Sequence, residues 1–227
     1  MALPQAKRTR ATTICRNWRG GSLLAPRGGA GNLSLPMPSG DVVPERIAFD
    51  QCLQLVLKLD AMKPAPGQPK RLDALFRDLS RFKPHRPAYE LQDLIWAIWT
   101  NHKDDYADEA MEQAINAIAL KDYDVAQLVL DALVDARPEW SEAWNKRATL
   151  HFIRGDDIAA VKDVMEALTR EPRHFGALSG FAQICLKHGR EAEALIAFEA
   201  ALAVNPHLEG VAALVAEMHA NGGRVLH

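Results

Sequence analysis

The clearest pattern in the chain is a set of small and apolar positions that repeats every 34 residues over two adjacent units, 141–174 and 175–208. The units align without a gap, and each has paired alanines, a glycine and a proline at the same places. A fixed period of this length is typical of stacked helical repeats. The matching positions are Ala143 and Ala177, Ala148 and Ala182, Gly155 and Gly189, Ala160 and Ala194, Ala167 and Ala201, Leu168 and Leu202, and Pro172 and Pro206.

Each unit predicts two helices joined by a sharp turn. In the first, helices are expected over 141–153 and 158–169, with Gly155 at positive φ and Asp156 as the cap of the second helix. Ala148 and Ala160 are expected to face each other where the helices cross, because a larger side chain would hold the axes apart. One pair cannot bury its apolar stripe alone, so neighbouring pairs must stack.

The same periodicity divides the rest of the chain. A degenerate unit spans 107–140, where Ala110 and Gln113 replace large apolar residues. Helical stripes over Arg71–Arg81 and Tyr89–Asn101 predict N-terminal capping helices or a divergent repeat at 71–106. The remaining boundaries are a basic tail predicted to be disordered at 1–46, a short helix and proline-rich linker at 47–70, and a C-terminal capping helix at 209–227.

The two best units resemble the tetratricopeptide repeat (TPR) family. They read Trp144-x2-Arg147-Ala148-x2-His151 and Leu178-x2-Phe181-Ala182-x2-Cys185, followed by the second alanine and the proline. The resemblance implies an all-α fold, a TPR-type right-handed solenoid of helical hairpins with capping helices. It also implies a concave groove, lined by the first helix of each pair, that binds an extended peptide or a partner helix.

By that resemblance, the groove-lining residues include amides and hydroxyls that can bond a peptide backbone, apolar side chains, and two charged ones. The candidate protein-binding residues are Met111, Ile115, Glu142, Asn145, Thr149, Phe152, Ser179, Gln183, Leu186 and Lys187.

Several single residues carry narrower predictions. Arg147 stands where the pattern has an apolar residue. We favour a partly buried ion pair, with Asp131 as the partner, over the alternative that Arg147 binds a ligand. Cys185 is expected to be a buried, inert thiol. Trp96 lies off the main stripe of its helix, as an exposed contact or a second packing face. His174 and His207 fall in connections and are expected to be exposed.

Charge is divided unevenly along the chain. The net charge is −2, but residues 1–40 contain six basic and no acidic side chains, and the remainder has 21 basic against 29 acidic ones. A mildly acidic repeat body argues against nucleic-acid binding. No apolar run is long enough to span a membrane, and three widely spaced cysteines predict neither a disulfide framework nor a zinc site.

The basic tail leaves alternatives open. It is a solvated tail, a translation start placed too far upstream of a second start such as Met62, an organelle transit peptide, or an RNA-binding arm. The predicted location is cytoplasmic, with organelle targeting or export as the alternative if the tail is processed.

No catalytic constellation stands out. The chain has no phosphate-binding glycine loop, no His-Glu-x-x-His and no nucleophile elbow. His102, Asp104 and Asp105 cluster in sequence, but a polar helix cap is favoured over a metal site. We therefore predict a non-catalytic adaptor without cofactor or metal that binds a protein or peptide partner. The alternatives are an activity within residues 1–106, or nucleic-acid association through the tail.

Overall fold

The computed structural model describes residues 42–66 and 69–222, with side chains over 45–66 and 69–220. Within these ranges the chain forms ten α-helices and a short 3₁₀ turn at Leu59–Ala61, and it contains no strand. The predicted all-α class is confirmed. Most of the tail, Gly67 and Gln68 of the linker, and residues 223–227 lie outside the described residues.

The helices follow one another through short connections. They are α1 (Val42–Val56), α2 (Lys70–Leu79), α3 (Ala88–Trp99), α4 (Asp105–Ala119), α5 (Tyr123–Ala136), α6 (Ser141–Arg154), α7 (Asp157–Arg170), α8 (Phe175–Lys187), α9 (Glu191–Val204) and α10 (Glu209–Gly222).

The repeat part consists of three antiparallel pairs, α4 with α5, α6 with α7, and α8 with α9, and α10 packs on α9. Gly155 and Gly189 have φ of 83° and 67° at the turns, the left-handed region that glycine adopts without strain. The crossing alanines are buried as predicted, with Ala148 1% exposed and Ala160 fully buried. Close approach of the paired axes therefore depends on these small side chains.

The N-terminal helix α1 packs on α7 and α9, the second helices of the second and third pairs. It begins at Val42, whereas the apolar pattern in the sequence begins at Ile47. Phe49 and Cys52 are fully buried, and the Phe49 ring lies 6.2 Å from that of Phe181. The N-terminal helix α1 therefore packs on helices that lie in the C-terminal half of the chain.

The α2–α3 hairpin lies against the connections that follow α7 and α9. Arg173 bonds Asp73 at 2.7 Å, and its guanidinium lies 4.5 Å from the centre of the Phe76 ring. Nε2 of His207 lies 3.0 Å from the carbonyl oxygen of Arg81. These contacts hold the hairpin beside the second and third pairs.

The buried apolar residues form two separate clusters. One joins α1, α2 and α3 to the second and third pairs. The other lies within the first pair and reaches Trp140, Ala143 and Leu150. The N-terminal helices therefore share a core with the later repeats and not with α4 and α5, their neighbours in sequence.

Candidate functional site

The candidate residues divide into a buried half and an accessible half. Five of them are at most 8% exposed: Met111, Glu142, Asn145, Thr149 and Ser179. The other five are partly exposed or exposed, and all of them lie further along the first helices α4, α6 and α8: Ile115, Phe152, Gln183, Leu186 and Lys187. The start of the predicted groove and its far end therefore present different surfaces.

Aromatic side chains from α3 cover the start of the groove. A Cβ added to Gly176 would lie 2.6 Å from Cη2 of Trp96, so the indole occupies the space that a larger residue at this position would need. The ring of Trp99 stacks on His174 with centroids 4.1 Å apart. Trp96 is 3% exposed, so its off-stripe position serves as a second packing face.

Beneath these rings lies a charged cluster formed by Glu142, Lys146 and His174, with Asn145 at its edge. Nζ of Lys146 lies 2.8 Å from Oε1 of Glu142, and Nε2 of His174 lies 2.9 Å from Oε2. Asn145 donates to the same carboxylate. Nδ1 of His174 accepts from the backbone N–H of Ala177, which assigns the ring proton to Nε2 and makes it a donor to Glu142.

The prediction that His174 is exposed is wrong, because this side chain is fully buried, and His207 is only partly exposed. His174 caps α8 from within the cluster. No direct signal for this burial is present in the sequence around His174, since the rings that cover His174 come from α3.

The cluster holds Glu142 in its charged form. Burial alone opposes the carboxylate, but the Lys146 ammonium and the hydrogen bond from His174 outweigh it and lower the pKa of Glu142 from 4.5 to about 2. A buried carboxylate with these partners is a structural ion cluster, in which Lys146 and Asn145 belong to the same helix as Glu142 and His174 reaches it from the start of α8. Glu142 therefore links α6 to α8, and neither it nor Asn145 is exposed to a ligand.

The accessible half consists of exposed or partly exposed side chains, most of them apolar, on the first helix of each pair. We define the open band as Ile115, Phe152, Ile153, Gln183 and Leu186. Ile153 is 37% exposed, and the other four are partly exposed. Nζ of Lys187 lies 5.2 Å from the centre of the Phe152 ring and joins α8 to α6 within this surface.

Ion pairs fix the end of the open band. Lys187 bonds Asp157 at 2.6 Å, and His188 bridges Asp157 and Glu45 at 2.7 and 2.8 Å. Because Glu45 belongs to α1, the N-terminal helix helps to position the last turn of α8. The Lys187 charge is consequently shared with Asp157, and the band is mainly an apolar surface.

The predicted ion pair of Arg147 is confirmed and is larger than expected. Its guanidinium donates one hydrogen bond to Asp131 of α5, at 3.0 Å, and two to Asp163 of α7, at 2.7 and 2.9 Å. These carboxylates raise the pKa of Arg147 against the opposing effect of burial. The side chain therefore ties two pairs together and is not a ligand-binding arginine.

Burial raises the pKa of the Cys185 thiol to about 12, as expected of an inert cysteine. Asp104 caps α4 and pairs with Arg137. Among the described residues no group of three or more His, Cys, Asp or Glu side chains could hold a metal ion. Over the same ranges no helix has the length and apolar character needed to cross a membrane.

Comparison with known proteins agrees with this architecture. A family model described as tetratricopeptide repeat matches residues 111–171 and 159–208. A TPR repeat-containing protein of Rhizobium etli is 36% identical over 143 residues, which cover 63% of this chain and 70% of the relative. The chain belongs to the tetratricopeptide repeat family. No solved structure matches it.

TPR repeats generally mediate protein–protein interaction, and TPR proteins are typically non-catalytic adaptors. In this TPR protein the residues that decide what remains accessible are Trp96, Lys146 and His174, none of which was a predicted groove residue. A weak signal was present in the opposite charges of Glu142 and Lys146 one turn apart and in the glycine at position 176.

Proposed function

We propose that this TPR protein is a non-catalytic adaptor that binds a peptide or helix segment along the open band. The single observation that carries the proposal is the pair of partly exposed apolar side chains at equivalent places on α6 and α8, Phe152 and Leu186, with Ile115 partly exposed on α4. Apolar anchors in register are what an amphipathic helix or extended peptide needs from a preformed groove. The partner is expected to insert apolar side chains and to bond Gln183 through its backbone.

The covered start of the groove narrows this proposal. Glu142, Asn145 and Ser179 are at most 2% exposed, so a partner that leaves the described fold intact does not reach them. Substitution of Asn145 would disturb the charged cluster before it affected a ligand. The groove test therefore belongs on the open band.

A peptide-display selection on the full chain provides the test. Selected peptides are titrated against Leu186→Glu and Ile115→Glu, with Phe82→Glu as the control because Phe82 is 92% exposed and lies between α2 and α3. A charge in the apolar band should weaken binding by at least about tenfold, whereas the control should bind as the wild type does. Equal binding by all three variants, with unchanged circular dichroism, would exclude the open band as the site.

A further inference from the structure

The negative charge of the described chain is concentrated at one end. Residues 104–135, which contain α4 and α5, hold nine acidic side chains and one lysine, a net charge of −8. Residues 41–227 together carry 21 basic and 29 acidic side chains, also −8. The first pair thus accounts for the whole net charge of everything after the tail.

Part of this acidic set is committed to internal ion pairs, and part is not. Asp131 bonds Arg147, and Asp124 bonds Arg154 at 2.7 Å. Glu109, Glu112 and Asp122 instead line a shallow depression of about 440 Å³. No ion pair joins these three to another residue that the structure describes, so their charges face solvent.

The same depression has apolar walls. Ala117, Leu120 and Val125 line it, and Leu120 is 80% exposed. Gln113, which replaces a large apolar residue of the repeat pattern, also lines it. We call Glu109, Glu112, Leu120, Asp122 and Val125 the acidic end face.

The N-terminal helices do not cover this face. α1, α2 and α3 share their apolar cluster with the second and third pairs, whereas the first pair has its own cluster. The end repeats of a solenoid need a cover or a polar outer surface to stay soluble. Here the surface is polar but also carries exposed leucine, which suits a ligand that is both basic and apolar.

One segment of this chain has that chemistry. Residues 1–40 contain six basic and no acidic side chains, and Ile14, Trp18, Leu23 and Leu24 lie between the arginines. We propose that residues 1–40 bind in cis to the acidic end face, with arginines against Glu109, Glu112 and Asp122 and apolar side chains over Leu120 and Val125. Opposite charges of this size give attraction that added salt weakens.

The chain is long enough for this contact. α1 is fixed near the connection between α8 and α9, because Glu45 bonds His188 at 2.8 Å and Asp50 bonds Arg190 at 2.6 Å. The connection between α4 and α5 lies two repeats away, on the order of 20–40 Å from packed helix spacings. A segment of forty residues can extend over more than about 100 Å.

Cys15 allows the proposal to be tested in the full chain. Cys52 and Cys185 are fully buried, so a benzophenone maleimide should react at Cys15, and Cys15→Ser provides the labelling control. After illumination, mass spectrometry should place the cross-links in residues 105–128. A mixture of ¹⁵N-labelled and unlabelled chains separates cross-links within one chain from those between copies.

Charge reversal identifies the surface. Glu109→Lys with Glu112→Lys should lower the yield of these cross-links about tenfold, as should a rise in ionic strength from about 0.02 M to about 0.5 M. Glu209→Lys with Glu217→Lys, the same charge change at two exposed positions of α10, should leave the yield unchanged. If the first double variant fails to fold, Glu109→Gln with Glu112→Gln and the salt series replace it.

Several results would overturn the proposal. Cross-links between copies would assign the contact to association in trans, and cross-links to the open band would place the tail in the groove. A cross-link yield that changes neither with charge reversal nor with ionic strength would indicate random collision. Absence of cross-links to the end face, together with RNA binding by the full chain at low stoichiometry, would mean that the tail prefers nucleic acid.

Discussion

Trp96 and Gly176 are matched in size: Cη2 of the indole lies 2.6 Å from where a Cβ at position 176 would stand. The glycine belongs to the first helix of the third pair, and the tryptophan belongs to a helix outside the repeats. This contact lies at the start of the predicted groove, where Glu142, Asn145 and Ser179 are buried. Which surface of the repeats stays accessible is therefore determined as much by α3 as by the repeats themselves.

The close contact between Trp96 and Gly176 predicts that Gly176→Ala destabilises the chain, which is the opposite of the usual effect of this substitution in a helix. Gly→Ala in a helix ordinarily stabilises by up to about 1 kcal/mol. Gly176→Ala should instead lower the free energy of unfolding by about 1–3 kcal/mol, because the indole cannot move without disturbing its neighbours. In a Trp96→Ala background the same change should be neutral or stabilising. Urea denaturation of the four chains of this double-mutant cycle measures the coupling, and additive effects would contradict the match.

The buried carboxylate predicts an acid-dependent loss of stability. The pKa of Glu142 is lowered from 4.5 to about 2 in the folded chain, so its contribution is present above the unfolded pKa and lost as pH falls from about 4.5 to about 2. Glu142→Gln removes this contribution and leaves Lys146 buried without its carboxylate, at a cost of about 3–5 kcal/mol near neutral pH. The difference in the free energy of unfolding between wild type and variant should shrink over that acid range.

If the difference in the free energy of unfolding between wild type and Glu142→Gln stays constant from pH 6 into the acid range, Glu142 is protonated or hydrated in the folded chain. Glu209→Gln is the matched control, since the Glu209 side chain is exposed on α10 and should shift the stability curve little at any pH.

The ion pairs of Arg147 and Arg154 predict that loss of Arg147 costs more stability than loss of Arg154. Arg147 bonds two carboxylates, and Asp163 has only 6% of its side chain exposed. Arg147→Ala should therefore cost about 2–4 kcal/mol, because Asp163 would be left buried without the guanidinium, with His151 at 3.6 Å as its remaining ion-pair partner among the described residues. Arg154→Ala removes a single pair to Asp124, which is 92% exposed, and should cost less than about 1 kcal/mol. Thermal unfolding of both variants decides the matter, and similar costs would refute the bridging role.

The position of α1 predicts that the first helix is part of the folded body. Phe49→Ala should destabilise the chain by about 3–5 kcal/mol, because its ring is fully buried against Phe181. Ile47→Ala on the same helix should change stability by less than about 0.5 kcal/mol, because Ile47 is 48% exposed. The rate at which Cys185 reacts with a thiol reagent reports the opening of this contact and should rise only in the Phe49 variant.

A chain that starts at Met62 should show the same defect more strongly. It lacks Phe49, Cys52, Val56 and Leu59, all of which are at most 7% exposed. Such a product is expected to expose the second helices of the later pairs and to bind a hydrophobic dye. A melting temperature equal to that of the full chain would contradict this expectation.

The repeat helices could be predicted because their causes are local. The predicted helices 141–153 and 158–169 correspond to α6 and α7 within two residues, since the turn glycine, the capping aspartate and the proline act on their own neighbours. The Arg147–Asp131 pair could be predicted because a helix of the repeat packs against the helix that precedes it in the chain, here α5 against α6. Each of these inferences needed only residues within a repeat or in the adjacent helix.

The covered groove could not be predicted in this way. The burial of His174 depends on Trp99, and the burial of Phe49 depends on Phe181, and neither pair is related by the repeat period. Periodicity says which side of a helix is apolar but not which distant helix will lie against it. For the same reason, the ten candidate groove residues include five that are buried.

The contact of α1 with α8 and α9 has a consequence for synthesis on the ribosome. Phe49 leaves the exit tunnel long before Phe181 and Arg190 have been translated, and at about 5–20 residues per second the interval is on the order of ten seconds. During that time the apolar side of the helix has none of its final neighbours, so the nascent chain is exposed to chaperones and proteases. Helix α1 can acquire its native surroundings only when α8 and α9 have been made.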